Sequence, residues 1–329
     1  MEKIDFLAIG DIVVDAFIRL KDAHVHCRID TDACELSLRF GDKVPYEEVT
    51  VIPAVGNSPN AVVAASRLGL RSAIITNIGN DKNGENCLNS LKKDRVATDY
   101  VAIEKGKLTN YHYVLWYDVD RTILIKHESF AYKFPKIGDV GWIYLSSMAE
   151  NSLEYHKEIG AYLKGHPKVK LAFQPGTFQI KLGTEKLKDI YARTEIFFCN
   201  VEEAERILGL QNKDVWALSK GIVALGPKMV SISDGPNGAY LYHQGELWFI
   251  PMYPDIAPPF ERTGAGDAFS STFTAALALG KDPLVAFAWG PVNSMSVVQE
   301  IGAQRGLLSR PKLEEYLKAA PANYKAKKI

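Results

Sequence analysis

The alternation of apolar and polar positions predicts a chain of short strands and helices. An apolar run over residues 4–9 predicts a first buried strand, and a second covers 72–78. Further strands are predicted at 99–103, 109–117, 121–126, 141–146, 169–173, 195–199 and 228–233, with a hairpin at 239–243 and 246–250. From residue 140 onward strands alternate strictly with helices. This rhythm predicts an α/β fold with a mostly parallel central sheet flanked by helices.

Two segments depart from this rhythm. Between residues 21 and 50, apolar Val25 and Cys27 alternate with polar neighbours, and two further strand patterns occur within 109–126. Half-apolar strands that project from the main sheet would form a cover over it or a contact between two subunits. Asp15 lies just beyond the end of the first strand, at the edge where open α/β sheets bind ligands. A solvated loop acid is the alternative there.

Composition narrows the class of protein. The 329 residues carry no net charge, so neither nucleic acid nor an anionic membrane is expected as the main partner. No apolar run approaches the roughly 20 residues of a membrane span. The acidic start of the chain does not fit a signal peptide. Four cysteines do not reach the density of a disulfide scaffold. We therefore expect a reduced, cytoplasmic protein.

The strongest chemical signal is the stretch from Glu261 to Phe269. Gly264, Ala265 and Gly266 form a tight turn that runs into an apolar helix, and Asp267 follows at once. Such a turn aims backbone N–H groups and the helix dipole at one point, where negative charge is stabilised. An anion site beside a carboxylate suits phosphoryl transfer to a hydroxyl. A common glycine turn with an aspartate cap is the alternative.

The longer string resembles the signature of the ribokinase-like (PfkB) carbohydrate kinases, Asp-x-Thr-Gly-Ala-Gly-Asp. Thr263 to Asp267 match it, and Glu261 replaces its first residue. Further matches follow in the family's order along nearly the whole chain: Gly10 with Asp15, Gly56 with Asn60, Gly79 with Asp81 and Gly84, Asn200 with Glu203, Ser233 to Gly238, and Asn293 with Gly302-Ala303. The resemblance implies a single ribokinase-like domain over 1–329, with a small β-strand lid from about 16–50 and 105–128.

The resemblance also implies roles for individual residues. Asp267 would be the general base, and the backbone of Gly264, Ala265 and Gly266 the anion hole. The acceptor would contact Asp15, Gly56, Asn57 and Asn60. The expected ATP contacts are Asn200, Ser233, Gly235, Gly238, Thr263 and Asn293. Mg²⁺ would be held by Asn200 and Glu203 through water, and Glu261 is the candidate ligand for a monovalent cation, potassium in this family.

The acceptor stays open at this stage. A sugar is the first choice, with a nucleoside or a sugar phosphate as alternatives and a non-catalytic sugar- or nucleotide-binding regulator as the rival outside enzymology. Arg28, Arg39 and Lys43 would favour a phosphorylated acceptor if they faced the pocket. The aromatic rings that could stack on a nucleobase are Phe130, Tyr132 and Phe178. A homodimer formed through the lid strands is the expected assembly.

Overall fold

The computed structural model describes residues 3–27, 34–118 and 120–329. Its strands, in chain order, are β1 (Ile4–Ile9), β2 (Val13–Leu20), β3 (His24–Cys27), β4 (Cys34–Ser37), β5 (Tyr46–Val55), β6 (Ser72–Gly79), β7 (Val101–Glu104), β8 (Asn110–Tyr117), β9 (Asp120–Leu124), β10 (Val140–Leu145), β11 (Lys170–Phe173), β12 (Thr194–Asn200), β13 (Met229–Ser233), β14 (Ala239–His243), β15 (Glu246–Ile250) and β16 (Lys327–Lys328). Its helices are α1 (Asn57–Arg67), α2 (Lys82–Lys93), α3 (Leu153–Gly165), α4 (Thr177–Leu182), α5 (Lys188–Arg193), α6 (Val201–Leu208), α7 (Val215–Ala224), α8 (Ala265–Ala278), α9 (Pro283–Val297) and α10 (Arg310–Lys318).

The central sheet confirms the predicted fold class. Its strand order is β16-β15-β14-β13-β12-β11-β10-β1-β6-β7. The strands from β13 to β7 in this order pair in parallel, and β14, β15 and β16 add an antiparallel edge. Phe6 and Ala8 pack into one hydrophobic layer while Leu7 and Ile9 pack into the opposite one. Because successive strand residues point to opposite faces, helices cover both sides of the sheet.

The parallel pairing also determines where candidate site residues can lie close together. The carboxyl ends of β1, β10, β11, β12 and β13 lie along one edge of the sheet. Residues at or just after these ends are Gly10, Ser146, Gln174, Asn200 and Ser233. Residues that lie more than two hundred positions apart in the sequence are thereby brought to a single cleft.

A second, four-stranded sheet stands beside this edge, in the order β5-β2-β8-β9; we call it the small sheet. β2 and β8 run parallel, whereas β5 and β9 pair antiparallel to them. Asp15 belongs to β2 and is 8% exposed, so the solvated-loop alternative does not hold. Phe17, Val114 and Trp116 pack against Ile301 on the inner face of the small sheet.

One expectation from composition is wrong. Cys27 and Cys34, which face each other across the β3–β4 hairpin, are joined by a disulfide, so the chain is not wholly reduced. Cys87 and Cys199 are free and buried. The predicted alternation of this hairpin was sound, but sequence alone does not indicate which of its residues lie opposite one another. In the described ranges, no helix combines the length and the apolar character needed to cross a membrane.

Candidate active site

The glycine turn at the start of α8 has the form that the sequence predicts. Gly264 precedes the helix with a φ of 82°, a left-handed conformation that favours glycine. A Cβ atom at this position would lie 2.3 Å from the Cβ of Ala303, so the turn also depends on close packing. The backbone N–H groups of the first turn have no partner within the helix and are free to bind an anion.

Asp267, in the first turn of α8, accepts hydrogen bonds from three amide side chains. Asn57 and Gln174 donate to its Oδ1 over 2.7 and 3.1 Å, and Asn60 donates to its Oδ2 over 2.8 Å. An ionised carboxylate offers about four acceptor positions, so one remains, on Oδ2. The three donors come from α1 and from the end of β11, which fixes the carboxylate relative to the sheet edge.

The environment of Asp267 adjusts its basicity. Burial raises the pKa of the carboxyl above its usual range, while the hydrogen bonds from Asn60, Gln174 and Asn57 and the positive charge of Arg121 act in the opposite direction. The net effect is a raised pKa. A carboxylate of raised pKa is a better proton acceptor than a free aspartate.

Two cavities meet beside this turn. One, of about 180 Å³, is lined by Gln174, Phe198, Cys199, Asn200, Glu203, Ser231, Ser233, Gly266, Phe269 and Ser270. The other, of about 130 Å³, is lined by Ser233, Gly235, Gly238, Ala239, Met252, Ala265, Gly266, Phe269, Pro291, Ser294 and Val298. Gly266, Phe269 and Ser233 line both. The first cavity is rich in hydrogen-bonding groups and the second is mostly apolar, which matches the phosphate and base ends of a nucleotide.

Asn200 and Glu203 combine a structural role with a position at the first cavity. The Asn200 Oδ1 accepts from the Glu203 backbone N–H over 2.7 Å, and Glu203 Oε2 accepts from the Asn200 backbone N–H over 2.9 Å. This is a capping box at the start of α6. Burial raises the pKa of Glu203, and the charge of Asp267 adds to the increase. Glu203 Oε1 takes no part in the box, so one acidic oxygen remains for Mg²⁺, which keeps most of its waters in proteins.

On the acceptor side, four side chains form a continuous contact chain. Asp11 Oδ2 lies 3.0 Å from His127 Nδ1, and His127 Nε2 lies 3.3 Å from His112 Nε2. His112 Nδ1 is 3.4 Å from Asp15 Oδ1. The hydroxyl of Tyr132 donates to Asp11 Oδ1 over 2.7 Å. Burial, aided by the Asp11 charge, raises the pKa of Tyr132, so this phenol stays neutral.

Gly56 connects the acceptor side to Asp267. It precedes α1 with a φ of 114°, and a Cβ there would lie 3.0 Å from the carbonyl oxygen of Asp11. Only glycine lets α1 begin this close to the end of β1. The start of α1 therefore supplies Asn57 and Asn60 to Asp267 while it touches the acceptor side.

Three predicted site residues, Asn293, Thr263 and Glu261, do not line the two cavities beside the turn and make contacts within the protein instead. Asn293 is fully buried, donates to Thr272 Oγ1 and accepts from the Leu308 backbone N–H, so the expected contact with ATP is wrong. Its neighbour Ser294 lines the cavity instead. Thr263 donates to Glu261 Oε1 through both its backbone N–H, over 2.7 Å, and its hydroxyl.

Glu261 lies inside the protein and faces the small sheet. The side chain is 1% exposed, and its Oε1 lies 3.5 Å from the Nε of Arg121 on β9.

Of the cationic residues considered for a phosphorylated acceptor, Arg39 and Lys43 are exposed, and Arg28 lies outside the described residues.

Several functional candidates escaped the sequence patterns. Gln174 and Asp11 follow strand ends in the same way as Asn200, so the strand-end rule could have found them. His112 and Arg121 sit on the small sheet, where the pattern shows a strand but not which face meets the cleft.

Comparison with known proteins places this geometry in a family. Residues 25–310 match the pfkB family carbohydrate kinase, so the chain belongs to that family and is a carbohydrate kinase. Ribokinase of Bacillus subtilis is 26% identical over 285 residues, which cover 85% of this chain and 92% of the relative.

The solved structures agree on the fold. The nucleoside kinase of Methanocaldococcus jannaschii superposes with a TM-score of 0.79 at 18% identity, over 97% of this chain and 99% of its own. Arabidopsis thaliana ribokinase complexed with ribose and ATP gives a TM-score of 0.78 at 18% identity, over 96% and 99%. The ribokinase-like fold expected from the sequence is therefore confirmed.

Proposed function

We propose that this carbohydrate kinase transfers the γ-phosphoryl group of ATP to a hydroxyl of a sugar, with Asp267 as the general base. The observation that carries the proposal is the position of Asp267. It lies at the N-terminus of α8, its remaining acceptor position is on Oδ2, and the adjoining residue, Gly266, lines both nucleotide cavities.

The chemistry follows from that arrangement. The acceptor hydroxyl donates its proton to Asp267, its oxygen forms a bond to the γ-phosphorus, and the bond to the ADP oxygen breaks in line. The backbone N–H groups of Gly264, Ala265 and Gly266 stabilise the equatorial oxygens. Asn200 and Glu203 would hold Mg²⁺ through water, and that ion supplies charge neutralisation for the phosphates when bound. Ser233, Gly235 and Gly238 would contact the nucleotide.

A neutral, hydroxyl-rich acceptor suits the pocket better than a phosphorylated one. Asp11 and Asp15 are hydrogen-bond acceptors that bind hydroxyls and repel phosphate. Arg121, a cation on β9 of the small sheet, is paired with Glu261. A nucleoside is the second candidate, because the partly exposed ring of Phe178 lies edge-on to His127, 6.1 Å away, and could stack on a base.

The deciding measurement is ATP consumption with a panel of sugars, sugar phosphates and nucleosides. We expect turnover with at least one unphosphorylated sugar and a loss of about 10²–10⁴-fold in kcat for Asp267→Asn, with ATP binding retained. Asp214→Asn, the same change at a surface helix cap, serves as the control. Tight sugar or nucleotide binding without turnover of any acceptor would identify a regulator instead.

The residues around Glu261 do not fit a bound potassium ion well. Its Oε1 already accepts from Thr263 and faces the Arg121 guanidinium, so a second cation would share a single buried carboxylate with an arginine. We assign no step to a monovalent cation. Replacing K⁺ by choline in the assay is expected to leave kcat unchanged, and strong K⁺ activation would contradict this assignment.

The outer face of the small sheet supports the proposed homodimer. Val49, Val51, Tyr113 and Leu124 are between 43% and 51% exposed. Ala16 of β2 lies opposite Val51 on one neighbouring strand and opposite Tyr113 on the other, and Tyr113 in turn lies opposite Leu124. Val49 is two residues from Val51, so all four side chains are on the same face of the sheet. An apolar patch of this kind marks an interaction surface. Light scattering should report a dimer that Val51→Asp disrupts; a monomer at micromolar concentration would exclude it.

A further inference from the structure

Gln304 is a buried amide that lines neither of the two cavities beside the glycine turn. We propose that it is a positioning residue for the phosphoryl transfer: it holds the Asn60 amide in the one orientation that donates a hydrogen bond to Asp267. The inference rests on the proposed function, since it takes Asp267 to be the general base.

The orientation of the Gln304 amide is fixed by the backbone. Its Nε2 donates to the carbonyl oxygen of Ala54 over 2.7 Å, and a carbonyl oxygen only accepts. The same nitrogen donates its second hydrogen to Asn60 Oδ1 over 3.0 Å. Because this contact assigns the oxygen of Asn60, its Nδ2 must face Asp267 Oδ2, to which it donates over 2.8 Å. The direction of the hydrogen bond to the base is therefore decided at Ala54.

Gln304 is also tied through its backbone to the helix that carries Asn60. Its carbonyl oxygen accepts from Nη1 of Arg67 over 2.6 Å, and Nε of Arg67 donates to Asp94 over 2.7 Å. Arg67 and Asn60 are seven residues apart on α1, so they lie on the same face of the helix. The side chain and the backbone of Gln304 are thus both bound to one face of α1.

The backbone that Gln304 holds is strained. Ala54 is fully buried and has a φ of 62°, a left-handed conformation that is rare for a residue other than glycine. Its N–H is held by Cys87 Sγ over 3.2 Å and its carbonyl by Gln304, both from distant parts of the sequence. Such a conformation persists only where the surroundings enforce it. Because α1 begins three residues later, at Asn57, Gln304 also helps to hold the start of this helix in place.

The loss of Gln304 would release the Asn60 amide. A flipped Asn60 would bring its Oδ1 against Asp267 Oδ2, so a hydrogen bond would be replaced by a contact between two acceptors. The hydrogen bond from Asn60 lowers the pKa of Asp267, so its loss must raise that pKa. Other charged or titratable groups that act on Asp267 or feel its charge are Arg121 on β9, Glu203 on α6 and Tyr144 on β10. All three are present in every variant compared below, so a difference between variants is due to the amides.

Steady-state kinetics test the positioning role. Gln304→Met keeps the volume of the side chain and removes the amide. We expect kcat to fall about 10- to 100-fold, because the base is no longer held in one direction, with the KM for ATP unchanged. The fall of kcat at acid pH should move up by about one to two pH units, the range for a lost hydrogen bond to a charged group. In an Asn60→Ala background, Gln304→Met should add no further shift, because Gln304 acts through Asn60.

Asn293→Leu is the matched control. Asn293 is also a fully buried amide with two hydrogen bonds, and these involve Thr272 and Leu308 and none of the amides that donate to Asp267. This variant should lose stability but keep the wild-type pH profile. An unchanged pH profile in Gln304→Met, or a shift that adds to the shift of Asn60→Ala, would overturn the proposal.

The side-chain amide of Asn57 reports on Asp267 without any acceptor or turnover. Its Nδ2 donates to Asp267 Oδ1 over 2.7 Å, so its ¹⁵N–¹H resonance, assigned through Asn57→Ala, should shift as Asp267 titrates. The midpoint of this titration should rise by about one to two pH units in Gln304→Met and stay at the wild-type value in Asn293→Leu. Gln304→Asn, which keeps an amide but ends about one bond short, replaces Gln304→Met if that variant does not fold, and the midpoint should again rise.

The NMR titration separates this inference from the proposed function. An unchanged midpoint in the Gln304 variant would refute the positioning role even if the kinase acts as proposed. The expected rise in a protein that phosphorylates no acceptor would support the coupling of Gln304 to Asp267 and reject only the proposed function.

Discussion

A single substitution at Gly266 is expected to raise the stability of the protein and lower its activity. It lies in the first turn of α8 with an ordinary helical φ, and a Cβ built on it meets no atom within 4 Å. Alanine therefore fits without strain and should stabilise the fold by about 0.4–1 kcal/mol, because it restricts the unfolded chain. The added methyl group, however, projects into the space that the two nucleotide cavities share.

Gly266→Ala should accordingly raise the urea midpoint and lower kcat/KM for ATP by about 100-fold, the cost of a displacement of about 1 Å at the reacting group. Gly160→Ala is the matched control. Gly160 lies within α3, where the new Cβ would lie 3.4 Å from Asp189 Cβ, an ordinary van der Waals distance. The stability of this variant should therefore rise while its activity stays at the wild-type level. Gly264→Ala should destabilise, because its φ is 82° and Ala303 blocks the Cβ. Wild-type ATP kinetics in Gly266→Ala would refute the assignment of this turn to phosphate binding.

Three further results are expected. Arg121→Met should cost about 3 kcal/mol in urea unfolding, because Glu261 then lies buried without its counter-charge; Arg121→Met/Glu261→Gln should recover most of that loss, and additive losses would argue against the pairing. The value of kcat should fall at acid pH as Asp267 becomes protonated. Because burial raises the pKa of Asp267, this fall should occur at a higher pH than a free aspartate would give. A fall at or below the pH range of a free aspartate would contradict the assignment of Asp267 as the base. Alkylation of denatured, unreduced protein should label Cys87 and Cys199 only, and labelling of Cys27 would exclude the disulfide.

The sequence predicted best where local patterns decide the structure. The hairpin predicted at 239–243 and 246–250 has the same bounds as β14 and β15. The residues at strand ends were placed well for a related reason. In a parallel sheet the carboxyl ends converge whatever the details of packing, so Asn200 and Ser233 had to lie near each other.

Patterns failed where the answer depends on rotation or register. Asn293 and Ser294 are adjacent on α9, and neighbours on a helix point about 100° apart, so a shift of one position separates the interior from the cavity. His112 meets the cleft only because β8 pairs with β2 in one register, and a slip of one residue would turn it outward. The pairing of Cys27 with Cys34 depends on register in the same way.

The orientation of the Asp267 carboxylate is fixed by residues outside the glycine turn that identifies Asp267 as the candidate general base. Asn60 can only donate to Asp267 Oδ2, because its own carbonyl accepts from Gln304 Nε2 over 3.0 Å. Gln174 is fixed likewise, since its carbonyl accepts from the hydroxyls of Tyr144 and Ser270. Neither amide can flip without losing a buried hydrogen bond. The one open acceptor position on Asp267 therefore has a fixed direction, so the enzyme should phosphorylate one hydroxyl of its acceptor even though several are present.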